Sequence, residues 1–111
     1  MMDQSEEPIL SSGNVFADLG LDNAEEKLTK AQLGRAIRCL IREGNMTQEE
    51  AARRMGTTQP KVCAIMGGKM VGFTADRLLE YIKRLDYDVD ITISKSTQEQ
   101  SRGKVRVIYA G

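Results

Sequence analysis

Residues 47–66, TQEEAARRMGTTQPKVCAIM, predict two short helices joined by a tight turn. Thr47 and Glu50 have the spacing of a capping box, in which an N-cap hydroxyl and a carboxylate three residues later satisfy free backbone N–H groups. Gly56 follows the first helix, where glycine tolerates the positive φ angle that a sharp turn requires. Thr58 is suited to begin the second helix, and the proline two residues later costs no intrahelical hydrogen bond there.

The side chains of this segment divide into a buried set and an exposed set. The positions expected to join the two helices to a core are Ala51, Ala52, Met55, Val62 and Ile65. The positions expected to be exposed on the second helix are Thr58, Gln59, Lys61 and, one turn on, Ala64. Glutamine can pair with adenine edges, lysine reaches guanine or phosphate, and small methyl groups contact thymine methyls. We therefore predict that these four side chains read bases in a major groove.

Charge is strongly segregated along a chain whose net charge is zero. Residues 1–26 carry seven acidic and no basic side chains, whereas residues 27–69 carry nine basic and three acidic ones. No acidic residue occurs in residues 51–74, which favours a polyanionic partner for this stretch. The side chains expected to hold the DNA backbone are Gln48, Arg53, Arg54 and Lys69. Spacing alone also permits a plain helical hairpin whose bases form an ordinary solvated face.

The flanking sequence predicts a mainly α-helical bundle of four to five helices. Apolar residues follow a helical period over residues 24–43, and Phe73 and Thr74 begin a fourth helix. The period then changes to two over residues 89–93 and 105–109, which indicates a short C-terminal β hairpin or strands that pair in a dimer. The expected organisation is a flexible acidic arm at residues 1–14, a DNA-binding domain at residues 15–87, and C-terminal strands for dimerisation at residues 88–111.

Composition argues against several other classes of protein. A chain of 111 residues with 41% hydrophobic residues suits a single domain, and it has no apolar window long enough to span a membrane. A cytoplasmic location is therefore expected. Without histidine or paired cysteine spacing, we expect no metal, no cofactor and no enzymatic activity. Cys39 and Cys63 are expected to be reduced and partly buried. The tyrosines, at positions 81, 87 and 109, are expected to serve packing or a dimer interface rather than base stacking.

Residues 28–69, LTKAQLGRAIRCLIREGNMTQEEAARRMGTTQPKVCAIMGGK, resemble the XRE family of phage-repressor and Cro-like helix-turn-helix proteins. The wider pattern of SSGNVFADLGL, TQEEAARRMGTTQPKV and GFTADRLLEYIKRLDYDVDI is similar to a subgroup that includes HigA-type antitoxins. This resemblance implies a lambda-repressor-like fold, dimerisation and, in many members, autoregulation of an operon shared with a RelE-like toxin. It also implies base reading by Thr58, Gln59 and Ala64, and phosphate clamping by Gln48.

Two functional classes follow from these observations. The first is a sequence-specific repressor that binds palindromic double-stranded DNA as a homodimer, with the strands at residues 89–93 and 105–109 as the expected dimer contact. The fourth helix, through Leu79, Tyr81 and Ile82, is the alternative contact. The second class is an antitoxin that neutralises a RelE- or HigB-like toxin through its acidic arm or C-terminal strands, and binds DNA to regulate the pair.

Overall fold

The computed structural model describes residues 22–93, 95 and 105–109. Four helices occur in order: α1 (Asn23–Glu43), α2 (Gln48–Met55), α3 (Gln59–Met66) and α4 (Ala75–Arg84). The mainly helical prediction is thus confirmed. No strand occurs among the described residues, so the C-terminal hairpin is not confirmed. The acidic arm at residues 1–14 lies outside them. No helix in the described part of the chain is long and apolar enough to cross a membrane.

Helix α1 begins and ends at residues with clear local causes. The Asp22 side chain accepts a hydrogen bond from the Glu25 backbone N–H at 2.8 Å, which is the standard arrangement of an acidic N-cap. Gly44 is the C-cap, and Asn45 then takes a left-handed conformation with a φ of 52°. One face of the helix is buried, through Leu33, Ile37 and their helical neighbours. The predicted helix therefore begins within one residue of the observed one.

The segment α2–turn–α3 follows the sequence prediction closely. The Thr47 hydroxyl accepts a hydrogen bond from the Glu50 backbone N–H at 3.0 Å, and Gly56 ends α2 with a φ of 71°. Thr58 is the N-cap residue of α3 in an extended conformation, as predicted, but its side chain makes no capping hydrogen bond. A proline lies in the first turn of α3, as predicted.

The hydrophobic core lies where all four helices meet. Its largest fully buried apolar side chains are Ile37, Met55, Val62, Ile65 and Leu78. Leu79, Tyr81 and Ile82 of α4 also pack inward, with exposed fractions of 7%, 4% and 8% within a single chain. Little of these three side chains is therefore exposed to a second copy. The alternative dimer contact through α4 stays a prediction.

The C-terminal segment at residues 105–109 lies against α1. The Val107 backbone N–H donates to Gln32 Oε1 at 3.2 Å, and the Tyr109 hydroxyl donates to the Glu43 carboxylate. That hydrogen bond raises the pKa of the Tyr109 phenol well above its usual range. Val107 and Tyr109 pack on the core, whereas Ile108 points to solvent with 83% of its surface exposed. The alternating pattern of residues 105–109, which predicted a strand, therefore belongs to a segment that packs on helix α1.

The two threonines that precede α2 and α3 provide a test of helix capping. Thr47→Ala removes an observed capping bond and should lower the free energy of unfolding by about 0.5–2 kcal/mol. Thr58→Ala removes no such bond and should change it by less than about 0.5 kcal/mol. Urea denaturation followed by circular dichroism measures both. Equal losses in the two variants would contradict the assigned caps.

Candidate nucleic-acid interface

Helix α3 is anchored by one apolar edge and presents the rest of its surface to solvent. Val62 and Ile65 are both 0% exposed, which confirms them as the residues that hold the helix from beneath. Thr58, Gln59 and Lys61 are exposed at or near its N-terminal end. Ala64 differs from expectation, because it is half-buried and packs against the core. The exposed polar surface of α3 is therefore concentrated in its first turn.

Cys63 also lies on the exposed surface of α3. It is free and exposed, whereas Cys39 on α1 is free and half-buried. The expectation that both thiols are partly buried is thus confirmed for Cys39 and wrong for Cys63. The cause is position along the helix, since Cys63 follows the buried Val62 directly and so faces about 100° away from it.

The turn before α3 is held by residues of α4. The Tyr81 hydroxyl donates to Thr57 Oγ1 at 3.2 Å, and its ring meets Phe73 edge to face at a centroid distance of 6.4 Å. The Arg84 side chain covers Gly56, where an added Cβ would lie 2.6 Å from Arg84 Nη1. The turn therefore favours glycine for its left-handed backbone, whereas the flexible end of Arg84 could shift to make room for a Cβ.

The opposite end of α3 is held by α1. Arg38 Nη1 donates to the Ile65 backbone carbonyl at 3.2 Å, and the same carbonyl also accepts from the Gly68 backbone N–H at 3.0 Å. Beside it, α1 approaches the loop after α3 so closely that an added Cβ on Gly34 would lie 2.7 Å from Met70 Cε. Arg38 and Tyr81 thus contact the two ends of the α3 segment.

The side chains predicted to hold the DNA backbone have different surroundings. Gln48 is half-buried in the first turn of α2, while Arg53 and Lys69 are exposed. Arg54 is engaged within the chain, with its Nη2 3.1 Å from Asp86 Oδ2 and its Nη1 3.5 Å from the Met46 sulfur. Arg54 is therefore less available to a phosphate than Arg53 is.

The ion pairs leave positive charge at the α2–α3 surface. Within the described residues, the pairs are Arg54–Asp86, Lys83–Glu80 and Arg84–Glu80. Each carboxylate partner comes from α4 or from the residues just after it. Lys61 and Lys69 form no such pair in that part of the chain, and the sequence from 51 to 74 supplies no carboxylate. The described residues also contain no cluster of three or more side chains suited to a metal ion.

Three contributors were missed by sequence reasoning. Arg38 lies outside the apolar stripe of α1, and helical periodicity gave no sign that its guanidinium reaches α3. Tyr81 was assigned to packing, which is correct for its ring but omits the hydroxyl contact. Asp86 lies beyond α4 in a left-handed conformation, with a φ of 68°, that turns the chain toward Arg54. All three contacts join residues at least 24 positions apart.

Comparison with known proteins agrees with this geometry. Residues 15–94 match the family model described as a helix-turn-helix domain. A solved structure described as an XRE-family transcriptional regulator is 36% identical, and the match covers 80% of this chain and 100% of that chain with a TM-score of 0.74. None of the curated proteins matches at a significant level. The chain therefore belongs to the XRE family of helix-turn-helix transcriptional regulators.

Proposed function

We propose that this chain is a cytoplasmic repressor that binds a palindromic operator as a homodimer. The observation that carries the proposal is the exposed first turn of α3, where Thr58, Gln59 and Lys61 project from a helix fixed by Val62 and Ile65. A helix with this polar tip and no nearby acid fits a major groove, whose floor offers hydrogen-bonding base edges between phosphate walls. No catalytic step is part of the proposal.

The roles of the individual side chains follow from where they lie. Gln59 provides both a donor and an acceptor and is suited to pair with an adenine edge. Lys61 can reach guanine or phosphate. The Thr58 hydroxyl can form a hydrogen bond with either of these groups. Ala64 is half-buried, so its contribution is limited to a methyl contact one turn further along the groove. Gln48, Arg53 and Lys69 are assigned to the phosphates on either side.

The homodimer is proposed because one recognition helix reaches too few bases for tight specific binding. Two copies related by a two-fold axis would place their α3 helices about 34 Å apart, in successive major grooves on one side of the duplex. Exposed apolar residues occur on α1, before α4 and after α4, and those after α4 include Ile93 and Ile108, which are 48% and 83% exposed. We assign the dimer contact to these C-terminal residues.

An antitoxin role is the second candidate. The observation in its favour is the segment at residues 105–109, which is outside the helices, alternates half-buried and exposed residues and leaves Ile108 exposed, as suits a protein partner that adds a strand. The acidic residues 1–26 would complement a basic ribonuclease such as a RelE- or HigB-like toxin. A short, basic reading frame beside the gene would favour this role, and an isolated gene would favour a repressor that acts alone.

The assignment of base reading to Gln59 is tested by selecting binding sites from random duplex DNA. Gln59→Ala should relax the sequence preference at the base pairs under the tip of α3, because a bidentate base contact discriminates by about 1–3 kcal/mol. The fold should be retained, since Gln59 is exposed. If both proteins return the same consensus, Gln59 is not a reader. If the unmodified protein returns no consensus, the proposed function fails.

The two neighbouring arginines of α2 are a matched pair for testing phosphate contact. DNA affinity should fall steeply with salt, and Arg53→Ala should reduce the log–log slope by about 0.9, the value expected for one lost phosphate contact. Arg54→Ala should change the slope less, because Arg54 is paired with Asp86. Fluorescence anisotropy at several salt concentrations gives both slopes. A slope unaffected by Arg53→Ala but reduced by Arg54→Ala would reverse the assignment.

The dimer contact is tested by placing a charge on the exposed apolar surface. Ile108→Asp should weaken self-association and operator binding together, since burying an unpaired carboxylate in an interface is costly. Leu28→Asp is the matched control, because Leu28 is also an exposed apolar residue but lies on α1. Analytical ultracentrifugation at micromolar concentration measures the association. Dissociation by Leu28→Asp alone would move the contact to α1, and a monomeric unmodified protein would exclude the dimer.

A further inference from the structure

We propose that Arg38 and Tyr81 are positioning residues that set the orientation of α3 and thereby its sequence specificity. This inference rests on the proposed DNA-binding function and deepens it. Neither side chain belongs to the polar tip of α3, and each acts through a single hydrogen bond to the segment that contains this helix. Tyr81 contacts Thr57 just before the helix, and Arg38 contacts the Ile65 carbonyl in its last turn.

Helix α3 has little internal means of fixing its own orientation. It is only eight residues long, its N-cap threonine makes no side-chain hydrogen bond, and a proline occupies its first turn. A helix of this length is unstable in isolation. Its buried anchors, Val62 and Ile65, are three residues apart and lie on one edge. These two contacts, together with the partly buried Ala64 and Met66, hold the helix on the core, but apolar packing is non-directional and restricts roll and tilt less sharply than a hydrogen bond does.

The two hydrogen bonds restrict those remaining movements. Tyr81 is 4% exposed and its ring is fixed against Phe73, so its hydroxyl is a rigid reference point for the turn. Arg38 extends from the long helix α1 and holds the backbone at the other end of α3. One bond at each end defines the direction of the helix axis. Bidentate base contacts depend on that direction, whereas phosphate contacts by long lysine and arginine side chains tolerate small changes in it.

A different role for Arg38 has a different experimental signature. As an arginine near the proposed interface, it could instead contact a phosphate directly. Loss of a phosphate contact weakens binding to all sequences alike and reduces the salt slope by about 0.9. Loss of a positioning contact weakens binding to the preferred sequence only and leaves the slope unchanged. The two roles are therefore separable by measurements on two duplexes.

The experiment compares Tyr81→Phe, Arg38→Met and Arg38→Lys in the full chain, with a duplex chosen by selection and a scrambled duplex of equal length. Tyr81→Phe keeps the ring but removes the hydroxyl, and Arg38→Met keeps an apolar stem but removes the donors. Each should lower the ratio of selected to scrambled affinity by about fivefold to 150-fold, the equivalent of one misaligned base contact. Arg38→Lys, which retains a donor, should recover part of that ratio.

Thr74→Ala is the control for general destabilisation. It removes the N-cap bond of α4 to Arg77 without touching α3, so it should lower stability while preserving the affinity ratio.

Hydrogen exchange should show faster exchange of the α3 amides in Tyr81→Phe and Arg38→Met, relative to amides of α1. An unchanged ratio in both variants, or an equal fall of the ratio in Thr74→Ala, would overturn the proposal. A reduced salt slope in Arg38→Met would assign Arg38 to phosphate instead. Failure of the unmodified protein to prefer any sequence would count against the proposed function itself.

Discussion

The burial of Val62 and Ile65 is the constraint on which the rest of the structure depends. An eight-residue helix with a polar, proline-containing first turn does not persist alone in water. Complete burial of an aliphatic side chain contributes roughly 1.5–3 kcal/mol, so these two residues supply much of what keeps α3 helical. Helix α3 packs against α1 and α2, and α4 contributes to the same core. The proposed base-reading surface therefore depends on this core, and loss of the core would remove the surface with it.

The same arrangement explains how a chain with zero net charge can present a positive surface. Exposed ion pairs contribute little to the free energy of unfolding. Their main effect here is to decide which basic side chains keep an unpaired positive charge. Glu80 pairs with two bases of α4, and Asp86 pairs with Arg54. These pairs lie on α4 or between its end and α2, whereas Lys61 and Lys69 lie in a stretch whose sequence contains no acid. Lys61 and Lys69 thus keep their positive charge without such a pair in the described part of the chain, as attraction to a polyanion requires.

Sequence reasoning succeeded where the cause of structure is local. The helices, the cap at Thr47 and the left-handed glycine at position 56 all depend on neighbours within four residues, and each was predicted. It failed where a distant side chain decides the outcome. The assignment of Arg54 to phosphate stays a prediction, but its ion pair with Asp86, 32 residues away, could not be inferred from the sequence. Ala64 was expected to be exposed from its spacing, but the core extends far enough along α3 to cover part of it. Tyr81 was correctly given a packing role. Its hydroxyl bond to Thr57 could not be inferred, because the sequence does not indicate that the turn before α3 lies beside Tyr81.

The C-terminal segment shows what a period of two can and cannot indicate. Alternation predicted which side chains point inward, and Val107 and Tyr109 do pack on the core while Arg106 and Ile108 face solvent. It could not indicate what they would pack against. A β strand partner was the expected answer, but α1 provides the contact, through Gln32 and Glu43. Because the inward face packs within one chain, only the outward face of this segment is accessible to a second copy. Within residues 105–109, Ile108 is therefore the exposed apolar side chain that a second copy could cover.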